Sequence, residues 1–308
     1  MIRLFSILMF VSGCSFVLID EPCDTAAPAP SDDTGETTVP LFVALGTGAV
    51  HSCGIRDDGS LQCWGGGEDG QLDVPEGLFT DLAVGHAHSC ALDLDGGVQC
   101  WGRNTDGQTD LSGEFIALSL GAEHSCGLDA SGVATCVGRN DSGQTDVPEH
   151  TFSSIAAGAT HTCGIIESRK GSQSTCWGSL SKEPVEDEDH KMVISGTGWS
   201  CLTNDLLDTD RVPECLGDNS SGQLEVPGTS VTMSWTAGAR HGCGLSDGGL
   251  LACWGANDAA QVEVPDGEFS AVSAGPTALH TCAIAAVDDS GVGPAVCWGL
   301  DAENQLEP

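Results

Sequence analysis

Thiols are the most numerous candidates for covalent or metal chemistry in this sequence, which has sixteen cysteines in 308 residues. Fourteen of them form seven couples whose members are ten to fifteen residues apart, and successive couples begin 36 to 42 residues apart. The couples are Cys53 and Cys63, Cys90 and Cys100, Cys126 and Cys136, Cys163 and Cys176, Cys201 and Cys215, Cys243 and Cys253, and Cys282 and Cys297. Each couple could form a disulfide, or it could hold zinc together with the histidine of a His-x-Cys motif.

Each couple lies on two short apolar runs separated by a turn, which would place its thiols side by side. In the clearest copy, the run around Cys90 leads through Asp95-Gly96-Gly97 into a second run that ends at Cys100. Asp-Gly between two alternating runs predicts a β-hairpin. Opposed residues of such a hairpin have Cα atoms about 4.5 Å apart, which permits a disulfide. We therefore expect seven cross-strand disulfides, with zinc as the alternative.

The couples belong to a repeat of about 38 residues that occurs seven times. Residues 79–110 show it best: F-x-x-L-x-x-G, then His88-Ser89-Cys90 and the hairpin, then C-W-G and N-x-x-G-Q. These motifs resemble RCC1-type repeats, the family that includes the chromosome-condensation regulator and a β-lactamase inhibitor protein. The resemblance covers about residues 42–308 and implies an all-β fold, a seven-bladed β-propeller.

The two ends of the sequence suggest how the ring closes. The last repeat ends soon after Gln305 and lacks a following F-x-x-L-x-x-G, whereas residues 42–48 supply that element at the start. We therefore expect residues 41–308 to form the propeller, with the N-terminal strand completing the last blade. A repeat of this length has room for four strands of about five residues.

The recurring aromatic and imidazole side chains fit packing roles better than chemical ones. The repeated His should be buried and hydrogen-bonded within a strand rather than act as a catalytic base. The repeated Trp should pack between blades rather than stack on a ligand. These tryptophans are Trp64, Trp101, Trp177, Trp254 and Trp298.

The N-terminus has the features of an export signal. Arg3 precedes a short apolar run, residues 4–11, which is shorter than the roughly 20 residues that span a bilayer. The run ends in Val11-Ser12-Gly13-Cys14, which resembles a bacterial lipobox and implies that residues 1–13 are removed and Cys14 is lipidated. An ordinary secretory signal is the alternative.

A composition change follows the export signal. Residues 20–40 are rich in Pro, Thr and acidic residues and have no apolar period, so we expect residues 14–40 to form a lipidated N-terminus and a flexible tether. Cys23 lies in this tether, and no role is assigned to it.

The net charge of −35, from 45 acidic against 10 basic residues, limits the partners. Such a chain repels phosphate backbones and anionic membranes, so we expect no nucleic-acid binding and membrane contact only through the N-terminal lipid. A protein partner fits this charge, and we expect a monomer.

Motifs of catalysis and of cofactor binding are absent from the sequence, which contains no G-x-S-x-G, H-E-x-x-H or G-x-x-x-x-G-K-[ST]. The turns Asp93-Leu94-Asp95-Gly96 and Asn104-Thr105-Asp106-Gly107 could hold Ca²⁺, but they lack the EF-hand spacing and fit Asx-turns equally well. We therefore predict a protein that is not an enzyme and has no metal or cofactor, with Ca²⁺ as the alternative.

Three hairpins are longer than the others, and hairpins at equivalent places in a propeller emerge on one side. We interpret the hairpins of repeats four, five and seven as an enlarged binding rim. The candidate rim residues are Arg169, Lys170, Trp199, Asp208, Asp210 and Arg211.

The combined prediction is a lipid-anchored binding or scaffold propeller on the bacterial outer membrane or cell surface. One alternative is a secreted inhibitor of an extracellular enzyme, which would carry no lipid. Another is a propeller enzyme, which would need histidines and acids at the central channel.

Overall fold

The computed structural model describes residues 39–168, 171–181, 190–203, 213–227, 234–288 and 290–308, and these residues contain 21 β-strands and no helix. Val39–Pro308 forms one compact unit. The predicted signal peptide and almost all of the predicted tether lie outside the described residues. The all-β class that the sequence predicts is confirmed.

The strands form seven successive groups of three, each group corresponding to one repeat and called here a unit. In chain order they are β1 (Leu41–Thr47), β2 (His51–Arg56), β3 (Leu61–Gly65), β4 (Phe79–Val84), β5 (His88–Asp93), β6 (Val98–Gly102), β7 (Ala117–Leu120), β8 (His124–Leu128), β9 (Ala134–Gly138), β10 (Phe152–Ala157), β11 (His161–Ser168), β12 (Gly171–Gly178), β13 (Met192–Ser195), β14 (Trp199–Thr203), β15 (Glu214–Gly217), β16 (Ser234–Ala237), β17 (His241–Leu245), β18 (Leu251–Gly255), β19 (Phe269–Ser273), β20 (His280–Ala285) and β21 (Gly293–Gly299).

Within every unit the middle strand pairs antiparallel with both neighbours, and the two cysteines face each other across the hairpin. Cys90 pairs with Cys100 and Leu92 with Val98, the register that the Asp-Gly turn predicts. Each of the seven couples forms a disulfide, with Cα atoms 4.0–4.1 Å apart. The prediction of intra-blade disulfides is confirmed.

A β-bulge explains the F-x-x-L spacing at the start of the repeat. Residues three apart on a regular strand point to opposite faces. In β4 the register shifts between Phe79 and Asp81, so one extra residue is inserted. Phe79 and Leu82 are therefore both buried. β1, β10 and β19 carry the same shift.

The described part of each repeat contains three strands rather than the four that its length allows. The N-x-x-G-Q segment forms tight turns instead of a strand. In the second unit the side-chain oxygen of Gln108 accepts a hydrogen bond from the Asp106 N–H. The side-chain oxygen of Asn104 accepts one from the Thr109 N–H. These side chains take the hydrogen bonds that a strand would give to a neighbour.

The first strands of the units contact one another in chain order, and β19 contacts β1, so the units close into a ring. β1 pairs along its length with β2 and by two residues, Leu41 and Phe42, with β21. The N-terminal strand is thus the first strand of the first unit and also joins the last unit. At other junctions, a hydrogen bond joins the first strand of one unit to the hairpin of the unit before it. An example is the bond from the Phe79 N–H to the Gly59 carbonyl oxygen, 2.9 Å long.

The hydrophobic core lies between units rather than inside them. Ile55 and Leu61 of the first unit pack with Phe79 and Trp101 of the second, and Phe42 and Trp64 pack with Ile284 of the last. Glycine is required where the ring is tightest, because a Cβ on Gly85 would lie 2.6 Å from the Gly121 carbonyl oxygen.

Candidate functional site

A belt of histidines and hydroxyl groups runs through the interior of the ring. In six units the histidine that opens the middle strand is fully buried, and its Nε2 lies within hydrogen-bonding distance of a Ser or Thr of the next unit. The pairs are His51 with Ser89 at 2.8 Å, His88 with Ser125 at 2.9 Å, His124 with Thr162 at 3.0 Å, His161 with Ser200 at 2.8 Å, His241 with Thr281 at 2.9 Å, and His280 with Ser52 at 2.7 Å. We call these pairs the histidine belt.

The onward hydrogen bonds of the hydroxyls determine the histidine tautomer. The Ser125 hydroxyl donates to the Gln108 carbonyl oxygen at 2.7 Å, and the Thr162 hydroxyl donates to that of Gln144 at 3.1 Å. A hydroxyl has one proton, so it must accept from the histidine Nε2–H. Nδ1 then carries no proton, and in all six rings it has no hydrogen-bond partner among the described residues.

Burial of the rings keeps the belt uncharged. Burial, together with neighbouring histidines, lowers the pKa of His51, His88 and His241 from 6.5 to about 3. It lowers the pKa of His124 and His280 to about 4 in the same way. A second proton on Nδ1 would be a buried donor without an acceptor. The belt therefore holds units together, as the buried-histidine prediction requires, and offers no base to a substrate.

The fifth unit breaks the belt, and the break involves a residue of the predicted rim. Trp199 replaces the histidine, and its Nε1–H donates to the Ala239 carbonyl oxygen at 3.1 Å. The next unit has Gly242 where the others have a hydroxyl. Trp199 is fully buried, so its assignment to an exposed rim is corrected.

The recurring tryptophans lie between units, as the sequence predicts. Trp101 of the second unit donates its Nε1–H to the Gln71 carbonyl oxygen of the first, 2.9 Å away. Trp64 reaches back across the closure to the Gln305 carbonyl oxygen, also 2.9 Å away. Both indoles are less than a tenth exposed, so they are unavailable to a ligand.

The side of the ring that carries the N-x-x-G-Q turns, called the loop face, has ion pairs that balance its arginines. Arg103 lies 2.6 Å from Asp69 of the preceding unit, and Arg240 lies 2.7 Å from Asp258. Arg139 contacts Glu123 in the same manner. These pairs are partly exposed, so each contributes little to stability.

The central channel is lined by the first strands. The cavity bounded by β4, β7, β10, β13 and β16 is lined by Ala, Val, Leu, Ile, Pro, Trp, Ser and Thr residues. β4 also carries the half-buried Asp81, whose pKa is raised by burial. The hydroxyls are used locally: Ser119 accepts the Ala157 N–H at 2.8 Å, and Thr236 accepts that of Ala274 at 2.8 Å.

Exposed apolar side chains gather on the opposite side of the ring. This hairpin face consists of the turns between second and third strands together with the starts of the following first strands. It carries eight of the ten large hydrophobic residues that are exposed in the described chain. They are Leu41, Val43, Leu78, Leu94, Ile116, Val133, Leu250 and Val287.

Of the predicted rim residues, the structure describes only Trp199. Arg169, Lys170, Asp208, Asp210 and Arg211 lie outside the described residues, as does the proposed lipidation site Cys14. β11 and β12 have eight residues each, so the fourth hairpin has the longest strands of any hairpin in the described part of the chain. Leu94, Val133 and Leu250 were missed because they lie in short hairpins. Their signal was an aliphatic residue beside the turn glycine, as in Gly132-Val133.

The Asp-rich turns use their oxygens within the turn. The Asp93 carboxylate accepts the N–H groups of Asp95 and Gly97, at 2.9 and 2.8 Å, which is the Asx-turn alternative to Ca²⁺ binding. Among the described residues no group of three or more His, Cys, Asp or Glu side chains is arranged to hold a metal ion. Within the same ranges, no helix has the length and apolarity needed to cross a membrane.

Three consecutive stretches match a known family. Residues 42–71, 79–108 and 115–144 match the model of the regulator of chromosome condensation (RCC1) repeat. They correspond to most of the first three units, from the first strand to the glutamine of N-x-x-G-Q.

Solved structures of similar fold come from plants and yeast. The entire ectodomain of the Physcomitrella patens receptor kinase CR4 is 23% identical with a TM-score of 0.66, over 85% of this chain and 74% of that chain. The CRINKLY WD40 ectodomain of the Arabidopsis thaliana receptor kinase ACR4 is 22% identical with a TM-score of 0.65, over 85% and 98%. Yeast RCC1 (Prp20), solved with Kap60 bound, is 18% identical with a TM-score of 0.46, over 84% and 70%. At these identities the likeness shows the fold.

Proposed function

Because this chain is an RCC1-repeat protein with a propeller-like fold, we propose that it is an exported binding module that presents its hairpin face to a protein partner. The observation that carries the proposal is the collection of exposed aliphatic side chains on that face. Exposed patches of this kind on otherwise polar proteins are typical of interaction sites. The disulfide in each hairpin keeps the face rigid, which reduces the entropy lost on binding.

Binding is favoured over catalysis by the chemistry of the interior. The buried histidines bond to hydroxyls of the next unit, and apolar or hydroxyl side chains line the channel. The proposal therefore assigns the protein no reaction. Its net charge of −35 favours a partner with a basic surface.

Export and lipid anchoring belong to the same proposal. The protein has seven disulfides, and disulfides form and persist in oxidising compartments. The two plant relatives are ectodomains of receptor kinases, so similar propellers occur outside cells. The motif Val11-Ser12-Gly13-Cys14 supplies the acceptor thiol for a lipid. We propose a bacterial outer-membrane or cell-surface protein anchored through Cys14.

Intact mass of the protein from its native membrane fraction tests the anchor. We expect a chain that starts at Cys14 with a lipid adduct and that gains fourteen alkyl groups in the propeller only after reduction. A lipid-free chain would contradict the anchor and favour a secreted binder.

Photo-crosslinking in the native cell tests the binding face. A photoreactive residue at Leu94 or Val287, on the hairpin face, should crosslink to a protein partner. The matched control is Leu72, an exposed leucine of the loop face, which should give no such product. Equal crosslinking from both faces, or none from the hairpin face, would refute the assignment.

A further inference from the structure

Two hollows meet on the hairpin face between the third and fourth units, and Thr151 lines both of them. The inner hollow has a volume of about 270 Å³ and includes Ile116 in its wall. The outer hollow has a volume of about 640 Å³, and its apolar wall consists of Val133, Ala134, Val147, Pro148 and Ile166. We call the two hollows together the Thr151 groove.

The groove exposes aliphatic surface that no described residue covers. Ile116 is 63% exposed and Val133 is 48% exposed, although both belong to well-ordered hairpin ends. Covering an aliphatic side chain removes apolar surface from water, which favours association. An occupant that covers both residues would gain most of its affinity from these two contacts.

The charged residues that line the groove are acidic. Asp129 belongs to the inner hollow and Glu149 to the outer hollow, and among the described residues no Lys or Arg lines either one. Hydrogen bonds from the Ser131 hydroxyl and the Val133 N–H hold the pKa of Asp129 below its ordinary value, so it stays ionised. The complementary occupant combines apolar side chains with positive charge.

The shape of the groove requires an elongated occupant. The Phe152 N–H donates to the Gly132 carbonyl oxygen at 2.7 Å, and both residues line the inner hollow with Ile116, whereas Val133, next to Gly132 in the chain, lines the outer one. A compact ligand in one hollow cannot reach the other. An extended chain can cross this bond and place alternate side chains in both hollows, since residues two apart on a strand share a face.

The walls of the groove are rigid enough to select such a chain. The Cys126–Cys136 disulfide fastens the third hairpin, and the Cys163–Cys176 disulfide fastens the fourth. The ring contact of His150 with Phe152, at 6.4 Å between centroids, supports the segment that carries Thr151. The groove residues therefore lose little conformational entropy when an occupant binds.

We propose that the Thr151 groove binds an extended, cationic segment of a partner protein. Apolar side chains of the segment enter the two hollows, and Lys or Arg side chains face Asp129 and Glu149. This inference rests on the proposed function and names the partner's chemistry and the part of the hairpin face that receives it.

Fluorescence anisotropy with three labelled decapeptides tests the proposal. One peptide alternates Leu and Lys, the second alternates Ser and Lys, and the third alternates Leu and Glu. We expect the Leu/Lys peptide to bind at least tenfold more tightly than the other two. In Ile116→Ser or Val133→Ser its affinity should fall about tenfold, because each change removes one aliphatic contact. Leu72→Ser, on the loop face, is the matched control and should bind like the unsubstituted protein.

Three outcomes would overturn the groove assignment. The Ser/Lys peptide could bind equally well, which would mean that charge alone attracts it. Both groove variants could keep full affinity for the Leu/Lys peptide. Sedimentation could instead show a dimer that Val133→Ser dissociates, so that a second copy of the chain is the occupant. Each variant is accepted only if its thermal midpoint matches that of the unsubstituted protein.

The crosslink from Leu94 separates this inference from the proposed function, because Leu94 lies outside the groove. A crosslink that persists in both groove variants, together with failure of the peptide test, refutes the groove and leaves the binding module standing. Loss of the hairpin-face crosslinks in the unsubstituted protein refutes the proposed function itself.

Discussion

At the scale of single residues, the histidine belt turns a reactive side chain into a structural one. Each ring gives its Nε2–H to a hydroxyl of the next unit, and the hydroxyl passes its own proton to a carbonyl oxygen where that bond is seen, as in Thr162 with Gln144. Such a chain of buried donors and acceptors is stable only while every member keeps its partner. The belt can therefore be tested by removing one hydroxyl without changing the shape of the core.

We expect Thr162→Val to lower the free energy of unfolding by about 1–3 kcal/mol, because it leaves the His124 Nε2–H buried without an acceptor. Urea denaturation of the disulfide-intact protein measures this change. Thr160→Val is the matched control: this threonine is exposed, and water can replace its bond to Ser179. The control should change stability by less than about 0.5 kcal/mol. Equal losses from the two variants would contradict the belt.

The buried histidines also predict sensitivity to acid. Their ordinary pKa is 6.5, and burial lowers it to about 3 in His88 and about 4 in His124. At pH values between the ordinary and the folded-state pKa, the histidines bind protons in the unfolded chain but not in the folded protein. The stability of the folded protein therefore falls as the pH is lowered from about 6.5 to 4. The window from pH 7 to 5 isolates histidine, because ordinary aspartate pKa values lie near 3.8.

Urea midpoints at pH 7.5, 6.5, 5.5 and 5.0 should therefore decrease steadily. A folded-state NMR titration of His124 with a midpoint near 6.5 would contradict the prediction.

At the scale of elements, the hairpin register followed from sequence because the Asp-Gly turn and the cysteine spacing constrain it together. Cys90 opposite Cys100 left one arrangement for every residue between them. The bulge at Phe79 and the lack of a fourth strand did not follow. The bulge depends on packing against the neighbouring unit, and the fourth strand is replaced by side-chain bonds such as that of Gln108 with Asp106 N–H.

The disulfide should stabilise a hairpin mainly by restricting the unfolded chain. We expect the double change Cys126→Ala with Cys136→Ala to cost about 2–3 kcal/mol, the value for a loop of this length. The Cys53 and Cys63 pair, with the same ten-residue separation, should cost the same. Chemical denaturation under non-reducing conditions measures both. Unchanged stability in either variant would mean that strand pairing alone holds the hairpin.

At the scale of the whole molecule, the units depend on neighbours that the sequence places about 38 residues away. The periodicity predicted that histidines and tryptophans would be buried, but it did not identify their partners. His88 bonds to Ser125, and Trp101 bonds to the Gln71 carbonyl oxygen, so each unit is completed by the units on both sides. The hairpin face could not be predicted either, because the exposure of Ile116 and Val133 depends on how adjacent units meet.

The closure between the last and first units should be as necessary as any internal contact. A chain that ends at Leu300 loses the Gln305 carbonyl oxygen, so the buried Trp64 Nε1–H has no acceptor and its indole becomes exposed. We expect the free energy of unfolding to fall by at least about 2 kcal/mol, from the lost hydrogen bond and the exposed ring together. Amide exchange in β2 and β3 should rise, because these strands lose a neighbour on one side.

The matched control ends at Leu306 and removes only Glu307 and Pro308, which are exposed. It keeps Gln305 and should unfold like the full chain. If both truncated chains are as stable as the full chain, the first unit does not need the last one, and the ring is held by its internal contacts alone. If only the shorter chain is destabilised, the loss is assigned to the closure, since the two truncations differ by the six residues 301–306.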